Sequence, residues 1–228
     1  MGVTLITCTG GRPDAFRLCE RRICNQTYRR SLQWIVVDDV DPRTITNFFQ
    51  EVIRPEMLWD GRHTLSRNLR LALKKVREEK VLFIEDDDYY APGYVARMVE
   101  ELDHYLLVGE APARYYNVAT TQYLRLSNNS HASLCQTGIQ SLLIEKFLGF
   151  CTDDRKFVDI DFWHSVERNL SILPTENSVG IKGMPGRGGI GMGHSPSPAW
   201  ATDLSGAVLE EWVGPLASKT YMSFRKAA

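Results

Sequence analysis

Residues 81–94 read VLFIEDDDYYAPGY. Four apolar residues run into four consecutive acids, Glu85, Asp86, Asp87 and Asp88, followed by two tyrosines and a Pro-Gly turn. The apolar run predicts a buried strand. Adjacent carboxylates at its end repel one another, a cost that a bound cation relieves. Hard divalent cations prefer oxygen ligands, and Mg²⁺ or Mn²⁺ keeps coordination positions free for phosphate oxygens. The cluster therefore points to a metal holding a diphosphate. A calcium site is the rival, but the spacing lacks the D-x-D-x-D-G loop of an EF-hand. A solvated acidic turn is the plainer alternative.

Working outward, VTLITC near the N-terminus predicts a strand closed by the turn TGGRP, and DAFRLCERRICNQ a helix with Phe16, Cys19 and Ile23 on one face. LQWIVVDD reads as a second strand buried on both faces, and TITNFFQEVI and LSRNLRLALKKV as helices. Strands alternating with helices predict an α/β fold with a mostly parallel, Rossmann-like sheet. Each strand ends in polar residues: Thr7 and Thr9, then Asp38 and Asp39, then the acidic run. Ligands of open parallel sheets bind beyond the carboxyl ends of the strands. These three ends should line one crevice.

The second half is less regular. YYNVATTQYLRLSN predicts a smaller antiparallel region, and DIDFWHSVERNLSIL one helix with Phe162, Val166 and Leu170 as its stripe. GIKGMPGRGGIGMGHSPSP, with six glycines between Gly183 and Gly193, predicts a loop. A boundary near residue 110 should separate two lobes of a single domain.

With 228 residues, 43% hydrophobic and 24% charged, the chain has the size and balance of one cored domain. No apolar run reaches the roughly 20 residues that span a bilayer, and the start MGVTLITCTGG lacks a signal peptide's charged region. Five cysteines without a C-x-x-C pair fit a reduced compartment and no zinc site, so a soluble, cytoplasmic protein is expected. The net charge of −1 excludes an overall basic nucleic-acid binder. Arginines nevertheless cluster at Arg17, Arg21, Arg22, Arg29 and Arg30, and at Arg62, Arg67 and Arg70; each cluster reads by default as a solvated helix face.

In combination, TCTGGRPDAF, NQTY, WIVVDD, LSRNLRLAL and FIEDDDYYAPGY stand in the order and spacing of glycosyltransferase family 2, and the chain resembles those GT-A-fold enzymes. The resemblance covers nearly all of the first half, which would bind the nucleotide sugar, and weakens in the second, acceptor-side half. It implies that Thr7, Thr9, Arg12 and Asp39 serve the base and ribose of a donor and that Arg67 faces its phosphates. In the family's Asp-x-Asp position stand Glu85, Asp86 and Asp87; Glu85 and Asp86 would make ribose or water-mediated contacts. Asp87 and Asp88 would ligate Mn²⁺ or Mg²⁺, with His194 completing the sphere and Arg187 adding charge over the diphosphate. The family's acidic pair before a late helix appears as Val158 and Asp159, making Asp159 the catalytic base. Asp161, two residues on, lies on another helix face. Arg67 and Asp39 are expected to serve the donor rather than the fold.

The implied activity is a metal-dependent, inverting glycosyl transfer from a nucleotide sugar, UDP-linked, to a hydroxyl on a glycan or envelope acceptor or on hydroxymethylated DNA bases of a phage, then in the host cytoplasm. A nucleotidyltransferase that makes nucleotide sugars is the alternative enzyme, although its Gly-rich signature with lysine is absent after the first strand. A non-enzymatic, Ca²⁺-dependent carbohydrate-binding module explains the acids but not the three polar strand ends.

Overall fold

The computed structural model describes residues 2–40, 50–127, 129–153, 155, 157–189, 191 and 193–225. Its larger sheet has seven strands: β1 (Val3–Thr9), β2 (Leu32–Asp38), β3 (Glu51–Ile53), β4 (Lys80–Phe83), β6 (Leu107–Glu110), β9 (Thr137–Gln140) and β10 (Leu170–Leu173), in the order β10-β6-β9-β4-β1-β2-β3. All pairings are parallel except those of β9, which runs antiparallel to β4 and β6. Alternation along the strands divides the core. Val3 and Leu5 of β1, Trp34 and Val36 of β2 and Leu82 of β4 pack on one face with α1 (Pro13–Cys24) and α3 (Tyr94–Glu101). Ile6, Ile35, Val37, Val81 and Phe83 face the other way, onto α2 (Leu65–Leu73), α4 (Ile144–Leu148) and α5 (Asp159–Ser165).

The smaller sheet has the order β12-β8-β7-β11-β5, formed by β5 (Tyr89–Tyr90), β7 (Ala113–Asn117), β8 (Gln122–Leu126), β11 (Ser178–Lys182) and β12 (Ala201–Thr202). The expected antiparallel region is the β7–β8 pair, in which Ala113 lies opposite Leu126. A third core joins Tyr116, Val179 and Ile181 of this sheet to α6 (Ala207–Val213) and α7 (Pro215–Met222) through Leu209, Val213 and Tyr221. The two sheets are not confined to the two halves of the chain. β9 and β10, both beyond residue 110, complete the larger sheet.

Three segments differ from their sequence reading. Of the helix expected over TITNFFQEVI, residues 44–49 lie outside the described residues, and Glu51–Ile53 form strand β3 parallel to β2. The long helix expected from Asp159 ends at Ser165. Val166 is extended (φ −101°, ψ 104°), Asn169 is left-handed (φ 61°), and Leu170–Leu173 pair with β6. Phe162, Val166 and Leu170 still meet in one cluster, so the apolar spacing marked a shared core and not a continuous helix. Finally, Ile181 and Lys182, read as part of the glycine loop, belong to β11.

Candidate active site

The acidic turn follows β4, beside the end of β1, where Ile84 N–H donates to Ile6 O at 2.9 Å. Tyr90 clamps the turn: its hydroxyl accepts from Glu85 N–H at 2.9 Å and donates to Cys135 O at 3.2 Å. Asp86, Asp87 and Asp88 are each at most 3% exposed. Buried carboxylates need partners, and the neighbouring strand end and turn supply them. Thr9 Oγ1 donates to Asp86 Oδ2 at 2.5 Å, and the Arg12 guanidinium spans Asp86 Oδ1 at 2.5 Å and Asp87 Oδ2 at 2.9 Å. Burial pushes the Asp86 carboxyl up to about 6 against the pull of Arg12. Burial also opposes ionisation of Asp87, but Lys182 and Arg12 overcome it and hold that carboxyl below the usual range.

Lys182, which the sequence reading passed over inside a supposed loop, ends β11. Its Nζ lies 2.8 Å from Asp88 Oδ1, 3.0 Å from Glu85 Oε2 and 3.5 Å from Asp87 Oδ1. A lysine closing an apolar strand stretch, SVGIK, carries no local sign of this role. Only the pairing of β11 with β5, Val179 opposite Tyr89, brings it to the acids.

The expected metal set comes together only in part. His194 Nε2 lies 3.8 Å from Asp87 Oδ2. Asp88 instead turns toward β11, accepting from Ile181 N–H at 2.9 Å, and groups with Glu85 and Cys135, whose potential ligand atoms all lie within 4.8 Å of one another. Gly189 N–H donates to His194 Nδ1 at 3.3 Å, and burial together with Lys182 lowers the ring's pKa. An accepting Nδ1 fits the tautomer with its proton on Nε2, so ligation of a metal through Nε2 would require giving up the Gly189 hydrogen bond and moving that proton to Nδ1. The acids do fit a cation. Among the described residues Asp87 Oδ1 is buried and accepts no hydrogen bond, and the four carboxylates meet two permanent cations, Arg12 and Lys182.

Asp39 is fully buried at the end of β2. Its Oδ1 accepts from Arg187 at 2.7 Å; its Oδ2 accepts from Thr64 Oγ1 at 2.5 Å and Asn68 Nδ2 at 2.8 Å, with Arg67 3.6 Å away. The Asp39 carboxylate thus also ties β2, α2 and the glycine-rich loop together. Arg187 also stacks over the Trp59 ring, 5.0 Å from its centroid. Close approach of the loop demands glycine: a Cβ on Gly186 (φ 106°) would lie 2.2 Å from Gly11 O. Thr7 does not reach the crevice. Its hydroxyl accepts from Trp34 Nε1 at 3.0 Å in the core, one pleat below Thr9.

Asp159 opens α5. Its Oδ2 accepts from Leu134 N–H and its Oδ1 from its neighbour Ile160 N–H, each at 3.1 Å. Burial raises its pKa despite these donors, and the charge of Glu85 adds to the rise. One 3₁₀ turn, Leu134–Gln136, thus carries the amide that holds Asp159 and the thiol of Cys135 beside the acids. Asp161 points away, paired with Arg155 at 2.5 Å.

Comparison with known proteins follows the same lines. The S. aureus TarS 1–349 structure shares 15% identity and superposes with a TM-score of 0.58 over 79% of this chain and 60% of its own. Its complex with UDP-GlcNAc gives 0.57 at 15% identity, over 79% and 58%. The mannosyltransferase PcManGT from Pyrobaculum calidifontis, in complex with GDP-Man and Mn²⁺, gives 0.59 at 18% identity, over 80% and 57%. The chain therefore spans no more than about 60% of the length of these structures, and the likeness is one of fold, the GT-A arrangement. No curated protein matches it in sequence. The model of glycosyl transferase family 2 matches residues 4–168, from β1 through the acidic turn and Asp159, and the chain belongs to that family.

Proposed function

We propose that this protein transfers a sugar from a nucleotide-sugar donor, UDP-linked, to an acceptor hydroxyl, with inversion at the anomeric carbon and with Mn²⁺ or Mg²⁺ beside the diphosphate. The observation that carries the reading is the joining of Asp159 to the acid cluster: the 3₁₀ turn at Leu134–Gln136 ties this partly buried carboxylate at the start of α5 to Glu85 and Asp88. The solved complexes of TarS with UDP-GlcNAc and of PcManGT with GDP-Man and Mn²⁺ support it at the level of fold.

Asp159 takes the proton of the acceptor hydroxyl while that oxygen attacks the anomeric carbon on the face opposite the departing diphosphate. Its raised pKa makes it a stronger base than an ordinary aspartate. Thr9, Arg12, Asp39 and Arg67 hold the nucleotide side of the donor, with Glu85 and Asp86 toward the ribose. Arg187, on the glycine-rich loop, balances the diphosphate, where a guanidinium fork binds oxygens in pairs. Asp87 and its neighbours would hold a divalent cation, which would add to the neutralisation of the leaving diphosphate.

A glycan or envelope hydroxyl is the acceptor favoured here, because the net charge of −1 does not provide the basic rim that duplex DNA binding requires. Incubation with a panel of nucleotide sugars and Mn²⁺, with oligosaccharide, lipid and hydroxymethylated-DNA acceptors, tests the assignment by product mass and anomeric configuration. A product with inverted configuration on a glycan supports it. Transfer to hydroxymethylated DNA moves the acceptor assignment, a retained configuration overturns single displacement, and nucleotide-sugar synthesis overturns the reading as a whole.

A further inference from the structure

Lys182 is the unassigned residue most deeply engaged with the site. Its side chain is 3% exposed, and its ammonium faces three carboxylates at 2.8, 3.0 and 3.5 Å. Two of them, Glu85 and Asp88, belong with Cys135 to the group of metal-capable atoms within 4.8 Å of one another. The third, Asp87, has a buried Oδ1 that accepts no hydrogen bond among the described residues and lies 3.5 Å from this ammonium. Burial makes an uncompensated carboxylate expensive, so without a metal a positive charge is needed at this point. The chain supplies one from the end of β11.

We propose that Lys182 is the resident counter-cation of the acid cluster and competes with divalent metal for Glu85, Asp87 and Asp88. The protein alone is then a poor metal binder, because a divalent ion gains these carboxylates only at the expense of three existing ion pairs. A donor diphosphate adds negative charge and tips the balance toward the metal, so metal and nucleotide enter together. This last step rests on the donor-site reading above, whereas the competition itself does not.

The test is carried out without nucleotide. Lys182→Met keeps the length of the side chain and removes the charge. Mn²⁺ titrated into wild type and Lys182→Met, followed by loss of the free-ion electron paramagnetic resonance signal, should show binding at least about tenfold tighter in the variant. The variant should also melt lower than wild type in metal-free buffer and recover on addition of Mn²⁺, but not of NaCl at equal ionic strength. Should the variant fold poorly, Glu85→Gln and Glu85→Gln/Lys182→Met provide the same comparison with one fewer carboxylate, and the double variant should bind Mn²⁺ more tightly than the single. Equal or weaker Mn²⁺ binding on loss of the lysine in both backgrounds overturns the proposal. Failure of wild type to bind UDP in the presence of Mn²⁺ would overturn the donor-site reading and leave this comparison standing.

Discussion

At the scale of single residues, Asp159 combines two demands that usually conflict. Leu134 and Ile160 N–H groups hold its oxygens, yet burial raises its pKa. Asp159→Asn keeps the shape and one acceptor oxygen, enough for one of those two amides, but cannot take up the proton. Turnover should fall by roughly 10²–10⁴-fold, the usual contribution of a general base, while UDP affinity by calorimetry stays near wild type. Asp161→Asn, which only breaks an exposed pair with Arg155, should be mild. A dead Asp161→Asn beside an active Asp159→Asn would mean the wrong acid was chosen. The base works ionised, so activity must be lost as pH falls through its folded pKa. Because that pKa is raised, the acid limb of kcat should lie above the range of an ordinary aspartate. For stability the sign is opposite: the folded state holds this proton more tightly than the unfolded chain, so Asp159 favours folding as pH drops toward its raised pKa. Asp39 stands in a network of its own. With Thr64, Asn68 and Arg187 all bonded to its carboxylate, Asp39→Ala should lower stability on the order of 3 kcal/mol, the usual range for breaking one side of a buried ionic network. Denaturant melts check this, and an unchanged midpoint would return Asp39 to a purely donor-binding role.

At the scale of elements, the position of the base depends on how closely α5 approaches β6. A Cβ on Gly109 would lie 2.4 Å from Ala132 Cβ and 2.6 Å from Trp163 Cζ2. Trp163 is buried, and its Nε1–H donates to Thr137 Oγ1 on β9 at 3.0 Å, so the ring cannot withdraw freely. Gly109→Ala should therefore cost about 1–3 kcal/mol through overpacking. It should also reduce kcat, because Asp159 stands one turn of α5 before Trp163. A variant with wild-type melting temperature and wild-type turnover would show that the helix can shift without consequence for the base. β11 has a similar positioning role on the other side. Paired with β7 and β5 at once, it sets Lys182 against the acids and Gly183 at the start of the loop that carries Arg187 and His194.

At the scale of the whole molecule, metal and nucleotide should bind as coupled ligands. The cluster faces two permanent cations with four carboxylates, and diphosphate oxygens add ligands that the protein alone lacks. Mn²⁺ affinity measured by calorimetry should rise on addition of UDP, and by thermodynamic reciprocity UDP affinity should rise by the same factor with Mn²⁺. Equal metal affinity with and without UDP would sink the donor site. No helix among the described residues is long and apolar enough to cross a membrane.

The strands β1, β2 and β4 and their polar ends were legible in the sequence because each is a short, near-continuous apolar run stopped by charge, a local signal that burial on both faces demands. The acidic turn and the polar strand end at Thr9 were legible for the same reason, in consecutive residues, whereas Arg12 and Asp159 entered as site candidates only through the family resemblance. Lys182 was not, since its partners lie more than ninety positions away and meet it only through the β11–β5 pairing. The break between α5 and β10 was also hidden. Phe162, Val166 and Leu170 contribute to one core whether the chain continues as a helix or turns into a strand, and only the free edge of β6 decided between them. Likewise Thr7 and Thr9 share one face of β1. The packing of Trp34 over Thr7 committed one to the core, and the end of the strand left the other for the acids.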